Sequence, residues 1–151
     1  LKDIQNNDMS IFKELIKKNM FGIMPSHVIY SSCDPNPAGF SKFWLKEQLR
    51  ELLDFEGAIF SDDMGMSAAK IFEENIVFRV TKALEAGCDM VLVCNQGDQV
   101  DFLLEKLTWN QDHASKKRLF AMRRKISTKI TNKAESHKYC IEAIKNYFKN
   151  N

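Results

Sequence analysis

Three short apolar runs limit this chain more than any other feature: residues 21–24 (FGIM), 57–60 (GAIF) and 90–94 (MVLVC). None alternates polar with apolar residues, so each predicts a strand buried on both faces, as in parallel sheets. Between them apolar residues return every three or four positions: Ile11, Phe12, Leu15 and Ile16; Leu45, Leu49, Leu52 and Leu53; Ile76, Val80, Ala83 and Leu84; then Val100, Leu103, Leu104 and Leu107. Each set predicts one face of a helix. Ser41 stands where its hydroxyl can cap the second helix, and Gly87 where the third must stop. The order α, β, α, β, α, β, α predicts parallel strands joined by crossovers, hence an α/β layer or part of a (β/α) barrel. Three strands cannot close a barrel, and a small open α/β sheet answers the same pattern.

With 151 residues and 44% hydrophobic content, the chain has the length of one ordinary domain and the apolar side chains for a sizeable core. Disorder is excluded as its main state. No stretch approaches the roughly 20 consecutive apolar residues of a membrane span, and no basic segment followed by an apolar run opens the chain. An unexported, cytoplasmic protein with no membrane partner is expected. Cys33, Cys88, Cys94 and Cys140 form no CxxC pair, which fits a reducing compartment. Cys88 and Cys94 flank the third run and are expected to pack as small hydrophobes. The first residue is Leu1 and the helical pattern starts at once, as in a chain cut from something longer.

Charge is unevenly placed. Residues 1–110 hold 11 basic against 17 acidic side chains (−6), residues 111–151 hold 11 against 3 (+8). A basic tail can meet nucleic acid or an anionic surface. Here the charges interleave with Leu119, Phe120, Met122, Ile126 and Ile130 at helical spacing, which reads as a solvated outer helix face with no nucleic-acid partner. The tail shows no strand signal and predicts two helices, dividing the chain into residues 1–110 and 111–151.

Active sites of parallel α/β folds gather at the carboxyl ends of strands, where the loops converge on one mouth. Those loops are residues 25–30 (PSHVIY), 61–66 (SDDMGM) and 95–98 (NQGD). The second carries adjacent acids directly after a strand, whose alternation sends the two side chains in different directions. One can face the mouth while the other is held by backbone or basic partners. A carboxylate there can attack an anomeric carbon, bind a metal, or cap the following helix. Asp62, Asp63 and His27 match no standard metal-ligand spacing, and no metal or other cofactor is expected.

The segments GIMPSHVIYSSCDPNPAGFSKFWL, FEGAIFSDDMGMSAA and ALEAGCDMVLVCN together resemble the bacterial β-N-acetylhexosaminidases of glycoside hydrolase family 3, in sequence, order and placement at strand ends. The resemblance covers roughly residues 1–107. It implies the C-terminal part of a (β/α)8 TIM-type barrel, about strands six to eight and the helices that follow, with residues 111–151 as basic helices packed on it. It also implies a retaining mechanism in which Asp62, in the (S/T)-D motif after the seventh strand, is the nucleophile and Asp63 has a supporting or a purely structural role. Met66 matches a methionine lining the acetamido pocket of relatives, with a core position as the other reading. His27 sits in a shared M-x-x-H-V setting, either facing the sugar or hydrogen-bonded within the structure. Tyr30 and the stretch DPNPAGF are expected to shape the loop, and Gly65 stands where relatives often have serine.

Retaining glycosidases also need a group that protonates the departing oxygen and later deprotonates water. In the family this is a histidine in a K-H-F-P-G-H-G-type loop earlier in the barrel. This chain has no such motif: His113 and His137 lie in the tail, and His27 does not match it. The expected partners are therefore the missing N-terminal part of the same barrel and a small carbohydrate, a GlcNAc glycoside or muropeptide. The implied activity is an exo-β-N-acetylglucosaminidase acting on GlcNAc-anhydroMurNAc peptides in cell-wall recycling. Another family 3 β-glycosidase, or a non-catalytic interaction module of the same fold, answers the same residues.

Overall fold

The computed structural model describes residues 1–123 and 142. Helices α1 (Lys2–Asn6) and α2 (Asp8–Lys17) lead into strand β1 (Gly22–Ile23). A 3₁₀ turn (Ala38–Phe40) and a wide helix (Phe43–Leu52) precede strand β2 (Ala58–Asp63). Helices α3 (Ser67–Phe72) and α4 (Ile76–Ala86) precede strand β3 (Met90–Leu92), and α5 (Gly97–Lys106) and α6 (His113–Ala121) follow it. The strands form one parallel sheet in the order β1-β2-β3, with Gly22 beside Ala58, Ile23 beside Ile59 and Phe60 beside Met90. The expected α/β alternation is thus present. Among the described residues, no helix is long and apolar enough to cross a membrane.

Local chemistry explains the boundaries. The Ser41 hydroxyl accepts the Trp44 N–H at 3.1 Å, and the Asn75 side chain accepts the Val77 and Phe78 N–H groups at the start of α4. Gly87 ends α4 with φ +131, a conformation that disfavours any side chain. Gly57 is required by close approach instead, since a Cβ there would lie 2.6 Å from the Phe21 carbonyl.

The core lies between the wide helix, β2 and α4, where Leu45, Phe55, Ile59, Met64, Val80 and Ala83 are buried. The strand expectation needs correction on both sides of β2. Phe21 is 63% exposed, and Met24 and Met90 are also exposed, because β1 and β3 are the edges of a three-stranded sheet with no neighbour beyond them among the described residues. The apolar face of α2 is uncovered likewise, with Ile11, Phe12 and Leu15 exposed. Leu52 and Leu104, expected on buried faces, are exposed too. For Leu52 the reason is the winding: Leu53 N–H bonds to the Gln48 carbonyl, five residues back, and the wider turn rotates position i+7 off the face that Leu45 and Leu49 bury. Leu104 is turned about 100° from its buried neighbour Leu103. Cys88 is buried, with its thiol pushed up to about 12 by burial and by Asp89, whereas Cys94 is exposed and does not pack as a small hydrophobe. It lies beyond the last residue of β3, where the chain leaves the sheet.

At the amino ends of the strands, buried Asp89 holds three elements together. Its carboxylate accepts from Arg118 of α6 at 2.6 Å, Arg50 of the wide helix at 2.9 Å and the Ile59 N–H of β2 at 2.8 Å. Gln111 adds a bond to the Asp89 carbonyl. Burial, then the neighbouring Arg118, lowers the Arg50 pKa, and Asp89 offsets part of this. Within the basic tail, α6 is thus tied to the sheet. The second expected tail helix, with Ile126, Ile130, His137 and Cys140, lies outside the described residues.

Removing one partner of a buried ion pair leaves a charge uncompensated, at a cost of about 3 kcal/mol or more. Asp89→Ala should lose about that much in urea unfolding, and Arg118→Ala distinctly less, because Arg50 still pairs with Asp89. Equal losses would remove Asp89 from the centre of the cluster.

Candidate active site

Strand β2 runs on through Ser61, Asp62 and Asp63, so the loop expected over residues 61–66 begins only at Met64. Its register with β3 slips there: Phe60 pairs with Met90 and Asp63 with Leu92, three residues against two. The extra residue is a bulge in β2, a device that re-aims side chains at strand ends. The fully buried Ser61 closes the gap, its hydroxyl accepting the Leu92 N–H at 3.0 Å, while Met64 N–H bonds to the Leu92 carbonyl at 2.8 Å. Met64 is the core methionine of this segment.

The two acids have different surroundings. The Asp63 carboxylate accepts the Gly65 N–H at 2.8 Å and the Cys94 N–H at 2.9 Å, bridging the ends of β2 and β3. Burial alone would raise its pKa, but the Cys94 and Gly65 donors and the nearby His27 outweigh this and hold it below the ordinary carboxylate value. Asp62 has one hydrogen bond among the described residues, from the Asp63 N–H to Oδ1 at 2.8 Å. It is half-buried at the carboxyl end of the strand. A carboxylate with one oxygen fixed and the other free is placed to act as a nucleophile.

His27 is 7% exposed. Its Nε2 lies 3.2 Å from the Asp63 carbonyl, its ring stacks on Phe40 at 5.2 Å, and its buried Nδ1 has no hydrogen-bond partner. Met66 is 43% exposed at the start of α3, not in the core, and its N–H bonds to the Asp63 carbonyl at 3.2 Å. The residues singled out from the sequence therefore converge on Asp63, with Asp62, His27 and Met66 each bonded to its backbone. Among the described residues no three His, Cys, Asp or Glu side chains converge as metal ligands. The loop after β1 closes on itself through an Ile29–Pro37 bridge and an Asp34–Asn36 turn, with Tyr30 edge-on to Trp44. That is the loop-shaping role expected of Tyr30 and the DPNPAGF stretch.

Sequence reasoning missed two groups here. Arg79 is buried in α4 and donates to the Glu73 and Glu74 carbonyls, which ties α4 to the segment that follows α3. Its place in the first turn of an amphipathic helix resembles a solvated charge. Cys94 contributes a backbone donor, which no side-chain pattern signals. A Cβ at Gly65 would lie 2.8 Å from the Gln96 amide nitrogen, so a serine there would ask that flexible end to move.

The chain matches the Glycosyl hydrolase family 3 N terminal domain over residues 1–122. It is 50% identical over 109 residues to a β-hexosaminidase of Shewanella frigidimarina, covering 72% of this chain and 32% of that one. With a β-hexosaminidase of Nitrosomonas eutropha it shares 47% over 121 residues, covering 80% and 34%. Among solved structures it superposes on native NagZ from Neisseria gonorrhoeae with a TM-score of 0.74 at 36% identity, covering 83% of this chain and 35% of that chain. A second structure of that protein holds N-trifluoroacetyl-D-glucosamine. The chain thus spans about a third of the length of the relatives it matches. Because the family's model matches residues 1–122 of the 151 in this chain, and the relatives it matches are close to half identical, the chain belongs to glycosyl hydrolase family 3.

Proposed function

We propose that this chain is the C-terminal part of the (β/α)8 barrel of a retaining exo-β-N-acetylglucosaminidase, comprising about strands six to eight. In this reading residues 1–110 belong to the barrel, and the basic helices of residues 111–151 pack on it. The substrate is a terminal β-linked GlcNAc on a peptidoglycan fragment, a GlcNAc-anhydroMurNAc peptide, and the setting is cytoplasmic cell-wall recycling. The observation that carries the reading is the unequal treatment of the two acids: Asp63 is tied down by two backbone donors, and Asp62 is left with a free oxygen.

The free oxygen of Asp62 attacks the anomeric carbon as the C1–O bond breaks, and a glycosyl ester forms. The leaving oxygen takes a proton from an acid/base group in the preceding part of the barrel, which then deprotonates the water that cleaves the ester. The Asp63 N–H on Asp62 Oδ1 holds the carboxylate in one orientation and steadies its charge before attack and after release. Met66, exposed beside the acids, lines the acetamido pocket, where a polarisable thioether fits a methyl group. No cofactor takes part.

The test uses the protein that joins this chain to the rest of its barrel. Asp62→Ala should lower hydrolysis of an aryl GlcNAc glycoside by on the order of 10⁴-fold, the scale on which loss of an essential catalytic group shows. Added azide should restore turnover by occupying the vacated position and give the α-glycosyl azide. Wild-type activity in Asp62→Ala would end the assignment.

Asp63→Asn should act mainly through stability, with a pH signature. A carboxyl whose folded pKa lies below its unfolded value of about 3.9 stabilises the fold fully above that value and loses the contribution as pH falls through the folded pKa. The melting-temperature deficit of Asp63→Asn should therefore be full near pH 7 and shrink as the pH falls below about 4. A deficit that grows on acidification would contradict the anchored carboxylate.

A further inference from the structure

The His27 ring makes two sets of contacts that lead to two parts of the proposed site. Its Nε2 lies 3.2 Å from the Asp63 carbonyl, which can only accept, so Nε2 carries the proton and donates. Asp63 is the residue whose N–H holds Asp62 Oδ1. The donor from His27 thus fixes the peptide unit on one side of Asp63, while the unit on the other side aims that N–H at the nucleophile.

The second path runs through rings. His27 stacks on Phe40 at 5.2 Å with planes 16° apart, and Phe40 stacks on Phe72 at 4.6 Å and 25°. Phe72 closes α3, the helix that starts directly after Met66. Three stacked rings therefore run from the β1 loop, across the 3₁₀ turn, to the helix that carries the pocket methionine. His27 is buried, and its free Nδ1 is held against Gly39, whose Cβ position lies 3.5 Å away. An imidazole enclosed in this way has no edge left for a sugar.

We infer that His27 is a positioning residue rather than a substrate contact: its Nε2–H sets the nucleophile through Asp63, and its ring face sets the acetamido pocket through Phe40, Phe72 and α3. The inference rests on the proposed function, and the two paths separate experimentally because one needs the donor and the other the ring. His27→Phe keeps a ring for the stack and removes the donor. His27→Gln restores an amide N–H near the Nε2 position and removes the stack.

In the complete protein, His27→Phe should lower kcat about tenfold with KM nearly unchanged, the rate equivalent of one hydrogen bond acting in the transition state. His27→Gln should keep kcat close to wild type and raise KM. A wild-type kcat in His27→Phe, or equal rises of KM in both variants, would overturn the inference, as would losses that merely track the fraction folded. Should neither variant fold, ring ¹⁵N shifts of His27 in the wild-type protein decide: the Nε2–H tautomer at neutral pH supports the inference, and Nδ1–H overturns it. Asp62→Ala run in parallel keeps the two claims apart. An active Asp62→Ala defeats the proposed function, whereas an inactive Asp62→Ala beside an unaffected His27→Phe defeats only the role of His27.

Discussion

The pair of backbone hydrogen bonds on the Asp63 carboxylate is the constraint on which the mouth of this fold depends. A bulge leaves the end of β2 one residue out of step with β3, which interrupts the regular ladder between the Phe60–Met90 and Asp63–Leu92 pairs. Ser61 repairs the gap on one side with its hydroxyl, and Asp63 repairs it on the other by reaching across to Cys94. With those two struts in place, Asp62 can stay clear of other partners.

The two ends of the sheet solve the same problem with the same residue type. At the amino end Asp89 reaches from the start of β3 to the Ile59 N–H of β2 and takes Arg50 and Arg118 as counter-charges. At the carboxyl end Asp63 reaches from β2 to the Cys94 N–H just past β3 and takes amide donors, with His27 close by. Two arginines at the mouth would compete for any acid that faces a substrate. Amides hold a carboxylate without presenting a mobile cation, so the charged cluster belongs at the far end, where stability is the task.

Much of this was legible in the sequence because burial writes itself into periodicity. The apolar runs marked the three strands, Ser41 and Gly87 marked helix ends, and the SDD step marked the strand end on which the proposed site rests. The exposure of Phe21 and Met90 was not legible, since an apolar residue at an edge looks the same as one in a core until its neighbours are counted. The winding that exposes Leu52 was hidden for a related reason: the i, i+3, i+4 rule assumes the α-helical turn, and a wider one breaks it without changing composition. Asp89 and the amide of Cys94 carry no signal in the sequence, because one acts through partners far along the chain and the other through a backbone N–H. His27 stands out in the sequence only as a histidine after a strand, and the contacts of its Nε2 and its ring face appear only once Asp63 and Phe40 stand beside it.

The division of labour between the two aspartates is the central claim, and covalent trapping tests it most directly. In a 5-fluoro derivative of β-GlcNAc fluoride, the anomeric fluoride leaves without protonation and the 5-fluorine slows hydrolysis of the ester, so a retaining enzyme accumulates its glycosyl adduct. Incubated with the complete protein and mapped by peptide mass spectrometry, the label should sit on the carboxylate of Asp62, one sugar per site. A label on Asp63, on another peptide, or none together with release of the inverted sugar would contradict the account.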